Sequence, residues 1–267
     1  MSSPLISVAE LSSSLGQVTL LDVRYRLGGP PGREEYAAGH IPGAAYVDLD
    51  TELSSAPGVP VDERGRHPLP EPEVFVAAMR AAGASNDEPV VVYDDWQGRA
   101  AGRAWWLLRD YGHADVRVLD GGWSVWRASG GQVSTEISPR APGDFSGTPG
   151  RLSVVDASNV SDVAVLIDAR APERYRGEVE PVDPVAGHIP GAVNVDTSRN
   201  LAQDGTFRSV TELREIYGDV GAVPGADVAA YCGSGVTATH DLLALAVAGV
   251  HAALYPAGWS GFVTSVR

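Results

Sequence analysis

The chain repeats itself, and that repeat narrows its possible folds more than any other feature. TLLDVR (Thr19 to Arg24) returns as VLIDAR (Val165 to Arg170), the two aspartates lying 146 positions apart. GHIPGAAYVD (Gly39 to Asp48) returns as GHIPGAVNVD (Gly187 to Asp196), eight of the ten positions being identical. VVVYDD (Val90 to Asp95) is answered by VAAYCG (Val228 to Gly233), and LDGGWSVW (Leu119 to Trp126) by YPAGWSGF (Tyr255 to Phe262). The order of motifs is the same in both halves, so the chain is a tandem duplication of one domain. At 267 residues each copy is long enough to bury a core.

Within each half, short β-branched runs such as VTLLDV, PVVVYD and DVRVLD alternate with segments of helical spacing at 72–82 and 100–111. Such alternation predicts an α/β fold: tandem domains, each a mostly parallel sheet flanked by helices on both faces. The expected division is an N-terminal domain over 1–130, a Gly/Pro/Ser-rich linker over 131–152 and a C-terminal domain over 153–267. In the second half, 226–231 is expected as a strand and 236–248 as the following helix, closed by Gly249 as a C-cap.

Composition removes several functions. Twenty basic residues stand against 34 acidic ones, a formal charge of −14, so nucleic acid and an anionic membrane surface are unsuitable partners. All 20 basic residues are arginine, which excludes Schiff-base lysine chemistry and a Walker-type phosphate lysine. The single cysteine, Cys232, excludes a disulfide framework, a multi-cysteine metal site and a CxxC pair. The six histidines show no HxxxH or HExxH spacing of a metal site. The N-terminal stretch has no basic region before its first apolar residues, and no apolar run approaches the roughly 20 residues needed to cross a bilayer. A cytoplasmic, soluble protein is the expectation.

Cys232 falls at the carboxyl end of a predicted buried strand and is followed by Gly233, Ser234 and Gly235 and then a helix. Open α/β sheets bind ligands at that position. A glycine-rich loop turns successive N–H groups inward, and the helix N-terminus adds partial positive charge, so an anion centred on the sulfur is stabilised there. The first half supplies a control, because Asp94 occupies the matching position and cannot do thiol chemistry. Catalysis is therefore expected in the second half alone.

These motifs carry a resemblance. With LLDVR, two copies of GHIPGA, LDGGWSVW and the CGSGVTA run from Cys232 to Ala238, the chain resembles the two-domain rhodanese-like sulfurtransferases over essentially its whole length. The resemblance implies that Cys232, without a metal or organic cofactor, takes a sulfur from a donor, holds it as a persulfide and passes it to a thiol, thioredoxin among the possible partners, or to cyanide. It also implies that the neutral Gly-Ser-Gly loop, including Val236 and Thr237, suits 3-mercaptopyruvate better than thiosulfate. Ser234 looks like the proton-relaying hydroxyl, supported by His67 and Asp50. Arg174 looks like the arginine that grips the donor carboxylate. The second arginine usual in the family is missing: Asp183 stands in its place, and Arg176 or Arg199 is expected to compensate.

Asp22 with Arg24, Asp168 with Arg170, and His40 and His188 are expected to be structural, and Trp105, Trp106, Trp123, Trp126 and Trp259 to fill the cores. Three alternatives compete. A cysteine phosphatase would need an arginine six residues after the cysteine, where Ala238 stands. A thiosulfate sulfurtransferase would use the same cysteine, and a regulatory module would have lost it.

Overall fold

A computed structural model describes residues 3–56, 58, 60–137 and 140–265. Ser138 and Pro139 of the expected linker, and the chain ends at 1–2 and 266–267, lie outside the described residues.

The chain forms two compact units. The first comprises 1–54, 70–151 and 203–206, and the second 55–69, 152–202 and 207–267. In the first unit the strands are β1 (Leu5–Ile6), β2 (Thr19–Asp22), β3 (Ala45–Tyr46), β4 (Val90–Tyr93) and β5 (Val116–Leu119). They pair in the order β1-β5-β4-β2-β3, every pairing parallel. Helices α1 (Val8–Ser14), α2 (Gly32–Ala38), α3 (Pro72–Ala81), α4 (Ala101–Asp110) and α5 (Gly122–Ala128) connect them. In the second unit β6 (Val165–Asp168), β7 (Val193–Asn194), β8 (Val228–Tyr231) and β9 (Ala253–Leu254) pair in the order β7-β6-β8-β9, again parallel. Its helices are α6 (Pro172–Tyr175), α7 (Val210–Gly218), α8 (Ala238–Ala248) and α9 (Gly258–Ser265).

The central strands β2, β4 and β8 are buried at every residue because helices cover both faces of a parallel sheet, which explains their unbroken apolar runs. Each unit has its own core, around Leu20, Val91, Tyr93 and Trp126 in the first and Leu166, Ala229, Tyr231 and Trp259 in the second. Trp123 is half-buried and packs against the edge of the first core, with the Arg24 guanidinium 4.7 Å above its ring. Among its described residues the stretch read as a linker has no helix or strand but packs into the first unit, where Phe145 is fully buried against Phe75.

The conserved-looking motifs of the repeat build the same hardware twice. Arg24 pairs with Asp22, and Arg170 with Asp168, both at 2.6 Å and both buried. Each guanidinium also donates at 2.7 Å to the carbonyl of the glycine that opens GHIPGA, Gly39 and Gly187. His40 and His188 stack on Tyr36 and Tyr175 with ring centres 4.0 Å apart. These groups brace the ends of β2 and β6, a structural task.

Candidate active site

The two strand-end loops differ in what fills them. Asp94, directly after β4, is fully buried, and its carboxylate accepts four backbone N–H groups. Trp96 (2.9 Å) and Gly98 (2.8 Å) donate to Oδ1, Ala100 (2.7 Å) and Ala101 (2.8 Å) to Oδ2. Burial pushes the Asp94 pKa up, and these four donors pull against the shift. The loop leading into α4 is thus an anion cradle closed by the chain's own carboxylate.

Cys232, directly after β8, sits on equivalent scaffolding. The N–H of Trp123 donates to the Asp94 carbonyl and that of Trp259 to the Cys232 carbonyl, both at 2.8 Å. Gly122 and Gly258 lie at φ +56° and +60°, and a Cβ on either would come within 2.4 or 2.6 Å of that carbonyl oxygen. The fourth loop residue is left-handed in both copies, Gln97 at φ +60° and Gly235 at φ +72°. By this correspondence the N–H groups of Ser234, Val236 and Ala238 match three of the four that hold Asp94. Helix α8 begins two residues later than expected, at Ala238, because 232–237 form the loop, and no side chain caps it. Thr237 stands at its N-cap, and the buried Val236 carbonyl accepts the Thr239 hydroxyl at 2.6 Å. An aspartate reaches two bonds beyond Cβ, which is also the reach of the outer sulfur of a cysteine persulfide.

Residues 55–69 bring further groups to the same unit. Gly65 (φ +81°) passes so close to the start of α9 that a Cβ would lie 2.3 Å from the Ala257 carbonyl oxygen. The Arg66 N–H donates to Ser260 Oγ at 3.1 Å. The next residue, His67, has Nδ1 2.7 Å from Ser234 Oγ, so the expected hydroxyl and imidazole meet across 167 residues of sequence. Asp50 belongs to the first unit, exposed in the turn whose N–H donates to Asp48 Oδ1 at 3.1 Å.

Arg174, on α6, donates to Glu180 through Nε (3.2 Å) and Nη2 (2.6 Å), and Nη2 also lies 3.3 Å from Asp183 Oδ2. Burial works against ionisation of Glu180, yet the Arg174 hydrogen bonds and the N–H groups of Asp183 and Val182 hold its pKa low. The other Asp183 oxygen pairs with Arg66 Nη1. The remaining edges of both guanidinium groups face the cysteine loop. A Cβ on Gly233 would lie 2.8 Å from Arg66 Nη2 and 3.6 Å from Arg174 Nη1. Arg66 Nε is buried with no hydrogen-bond partner among the described residues.

The second arginine at the loop is therefore Arg66, and neither expected substitute serves. Arg176 pairs with Glu178 on the exposed surface (2.7 Å), and Arg199 lines a groove with Arg208, Glu212 and Asp219. Arg66 was missed because, in a chain whose basic residues are all arginine, only its place beside His67 in RGRHPLP marks it.

Among the described residues, no group of three or more His, Cys, Asp or Glu side chains is arranged to hold a metal ion, and no helix is long and apolar enough to cross a membrane.

The site is a cysteine loop at a strand end of a duplicated parallel α/β scaffold, and known proteins share that scaffold. The rhodanese-like domain family matches residues 7–129 and 154–265. The chain belongs to that family, in its tandem form. It is 45% identical over 265 residues, 96% of this chain and 92% of the relative, to a Mycobacterium tuberculosis protein named "Putative thiosulfate sulfurtransferase SseB". It is 42% identical over 277 residues, 100% of this chain and 97% of the relative, to a Pseudomonas aeruginosa protein named "Probable 3-mercaptopyruvate sulfurtransferase". The crystal structure of SseA from Escherichia coli, a 3-mercaptopyruvate sulfurtransferase, superposes with a TM-score of 0.84 at 32% identity, covering 97% of this chain and 100% of that one.

Proposed function

We propose that this chain is a sulfurtransferase that moves a sulfane sulfur from 3-mercaptopyruvate to a thiol or cyanide through a persulfide on Cys232. The observation that carries the reading is the pairing of the Cys232 loop with a hydroxyl–imidazole relay, Ser234 Oγ at 2.7 Å from His67 Nδ1.

The Cys232 thiolate attacks the donor sulfur, a sulfur–sulfur bond forms, and the carbon–sulfur bond breaks with its electron pair going to carbon. Pyruvate leaves as its enolate. The proton that the donor thiol gives up as the persulfide ionises equals the proton the enolate takes, and Ser234 with His67 is placed to relay it. The N–H groups of Ser234, Val236 and Ala238 receive the negative outer sulfur. An acceptor thiolate or cyanide then attacks that sulfur, and Cys232 leaves as thiolate. Gly233 and Gly235 keep the loop narrow, and Arg174 with Arg66 faces it with the hydrogen-bond donors that a donor carboxylate needs.

Thiosulfate is the second reading, favoured by the name of the 45% identical relative. Thiosulfate releases sulfite, which needs no proton, so the Ser234–His67 pair would be idle, and this weighs toward 3-mercaptopyruvate. The test is the ratio of kcat/KM for the two donors with cyanide as acceptor. A ratio above about ten, some 1.4 kcal/mol of discrimination, supports 3-mercaptopyruvate. A ratio below one makes thiosulfate the donor, and no turnover with either removes the enzymatic reading.

A further inference from the structure

We propose that Asp183 sets the charge of the donor that the Cys232 site accepts, an inference that rests on the sulfur-transfer reading above. In a network that reaches the loop through Arg66 and Arg174, three guanidinium groups, those of Arg66, Arg170 and Arg174, are matched by three carboxylates, those of Asp168, Glu180 and Asp183. Asp168 and Glu180 serve Arg170 and Arg174 at their far edges. Asp183 is the carboxylate shared by the two arginines that face Gly233, with Oδ1 on Arg66 and Oδ2 on Arg174. Its side chain is 2% exposed, and its own N–H donates to Glu180 Oε1 at 3.0 Å, so it is fixed in place between the two cations.

This arrangement does two things. It holds the two guanidinium groups so that one edge of each remains turned to the cysteine loop, ready to donate to a carboxylate. It also leaves a fixed negative charge next to the position of the donor's own charge. Coulombic repulsion scales with the charge of the incoming group, so Asp183 opposes a dianion twice as strongly as a monoanion. A donor carrying one carboxylate and a neutral thiol is received, whereas thiosulfate meets two arginines whose charge Asp183 and Glu180 already offset. A second arginine at position 183 would do the reverse. Asp183 is thus a specificity-determining residue that acts through Arg66 and Arg174, and it makes the pair selective for low charge.

The test replaces the charge and keeps the shape. In Asp183→Asn the 3-mercaptopyruvate/thiosulfate ratio of kcat/KM should fall about tenfold or more, through KM for thiosulfate. Arg66→Gln removes a cation instead and should move the same ratio upward. The opposed signs separate charge selection from simple damage to the site, and Arg66→Gln carries the test alone if Asp183→Asn fails to fold. In a Cys232→Ser background, where turnover is absent, calorimetry should show Asp183→Asn tightening thiosulfate binding more than pyruvate binding. An unchanged ratio in Asp183→Asn with wild-type turnover intact overturns the proposal, as do two variants that move the ratio in the same direction. If the wild-type enzyme turns over neither donor, the sulfur-transfer reading fails by itself. The binding comparison then decides the Asp183 proposal, and equal tightening of the two anions refutes it.

Discussion

Removing the Asp94 carboxylate should strongly destabilise the first unit, although it lies in the half without a cysteine. In Asp94→Ala four backbone N–H groups, now held at 2.7 to 2.9 Å, lose their acceptor inside the protein. Hydrogen bonds to a charged group contribute roughly 1.5–3 kcal/mol each, so the sum for four has an upper bound near 12 kcal/mol. Two effects reduce it. Water can enter the vacated space, and the desolvation cost of a buried carboxylate disappears with it. About 4 kcal/mol is the expected net loss, a large part of the 5–15 kcal/mol that a domain commonly has. Asp94→Asn retains Oδ1 for Trp96 and Gly98 but turns an amide NH2 toward the N–H groups of Ala100 and Ala101, so a smaller loss of about 2–3 kcal/mol is expected.

The assay is urea unfolding followed by tryptophan fluorescence. Of the six tryptophans, Trp96, Trp105, Trp106, Trp123 and Trp126 are in the first unit and Trp259 in the second, so the signal reports chiefly the first. With an m-value of about 2 kcal/mol/M, the alanine variant should shift the midpoint down by about 2 M. A midpoint within about 0.3 M of the wild type would refute the idea that this carboxylate closes the cradle.

Three further outcomes are expected. Asp241 is fully buried, with Oδ1 accepting from Asn200 Nδ2 at 2.7 Å, and burial pushes its pKa well above the ordinary 3.8. The native state therefore keeps a proton that the unfolded chain loses above that value, and stability declines as pH rises from it, by at most about 1.4 kcal/mol per unit. Asp241→Asn, uncharged throughout, should flatten the decline, and parallel stability curves for the two proteins between pH 4 and 7 would count against the raised pKa. Cys232→Ser should abolish transfer with the fold retained, while Cys232→Asp should melt above Cys232→Ser because its carboxylate can accept the Ser234, Val236 and Ala238 N–H groups. Equal melting temperatures would mean that those groups do not converge on an anion. His67→Gln should lower kcat with 3-mercaptopyruvate by about 10²-fold or more and affect thiosulfate far less, since only the first leaving group needs a proton. An equal loss with both donors would give His67 a structural role.

What the sequence reveals follows from what is local in it. The runs VVVY and VLID announce buried strands because both faces of a parallel sheet are covered, and the helix over 72–82 appears as Pro72–Ala81 because its apolar spacing is uninterrupted. The strand, CGSG loop and helix around Cys232 are contiguous, so their junction can be seen in the letters. The Arg66–Asp183 pair cannot, because it joins residues 117 apart in two irregular segments with no periodicity to mark them. Trp123 shows the limit of size as a signal: its ring packs against the core and also serves as a half-buried platform for Arg24.

The duplication separates scaffold from chemistry. Both loops keep the left-handed fourth residue, the tryptophan N–H beneath the strand end and the glycine that allows close approach. Those features must therefore serve the cradle, since the Asp94 copy retains them without a nucleophile. Such a cradle holds several N–H groups that need an anion, and each copy meets that need differently. The first unit fills the cradle with a carboxylate of its own. The second presents a thiol one atom too short to do the same, so its donors gain their best partner only when Cys232 carries an extra sulfur. Charge at the mouth of the loop is a separate control, set by Arg66, Arg174 and Asp183 on segments outside the cradle. Capture of sulfur and choice of donor can thus change independently, one through the loop after β8 and the other through a single carboxylate.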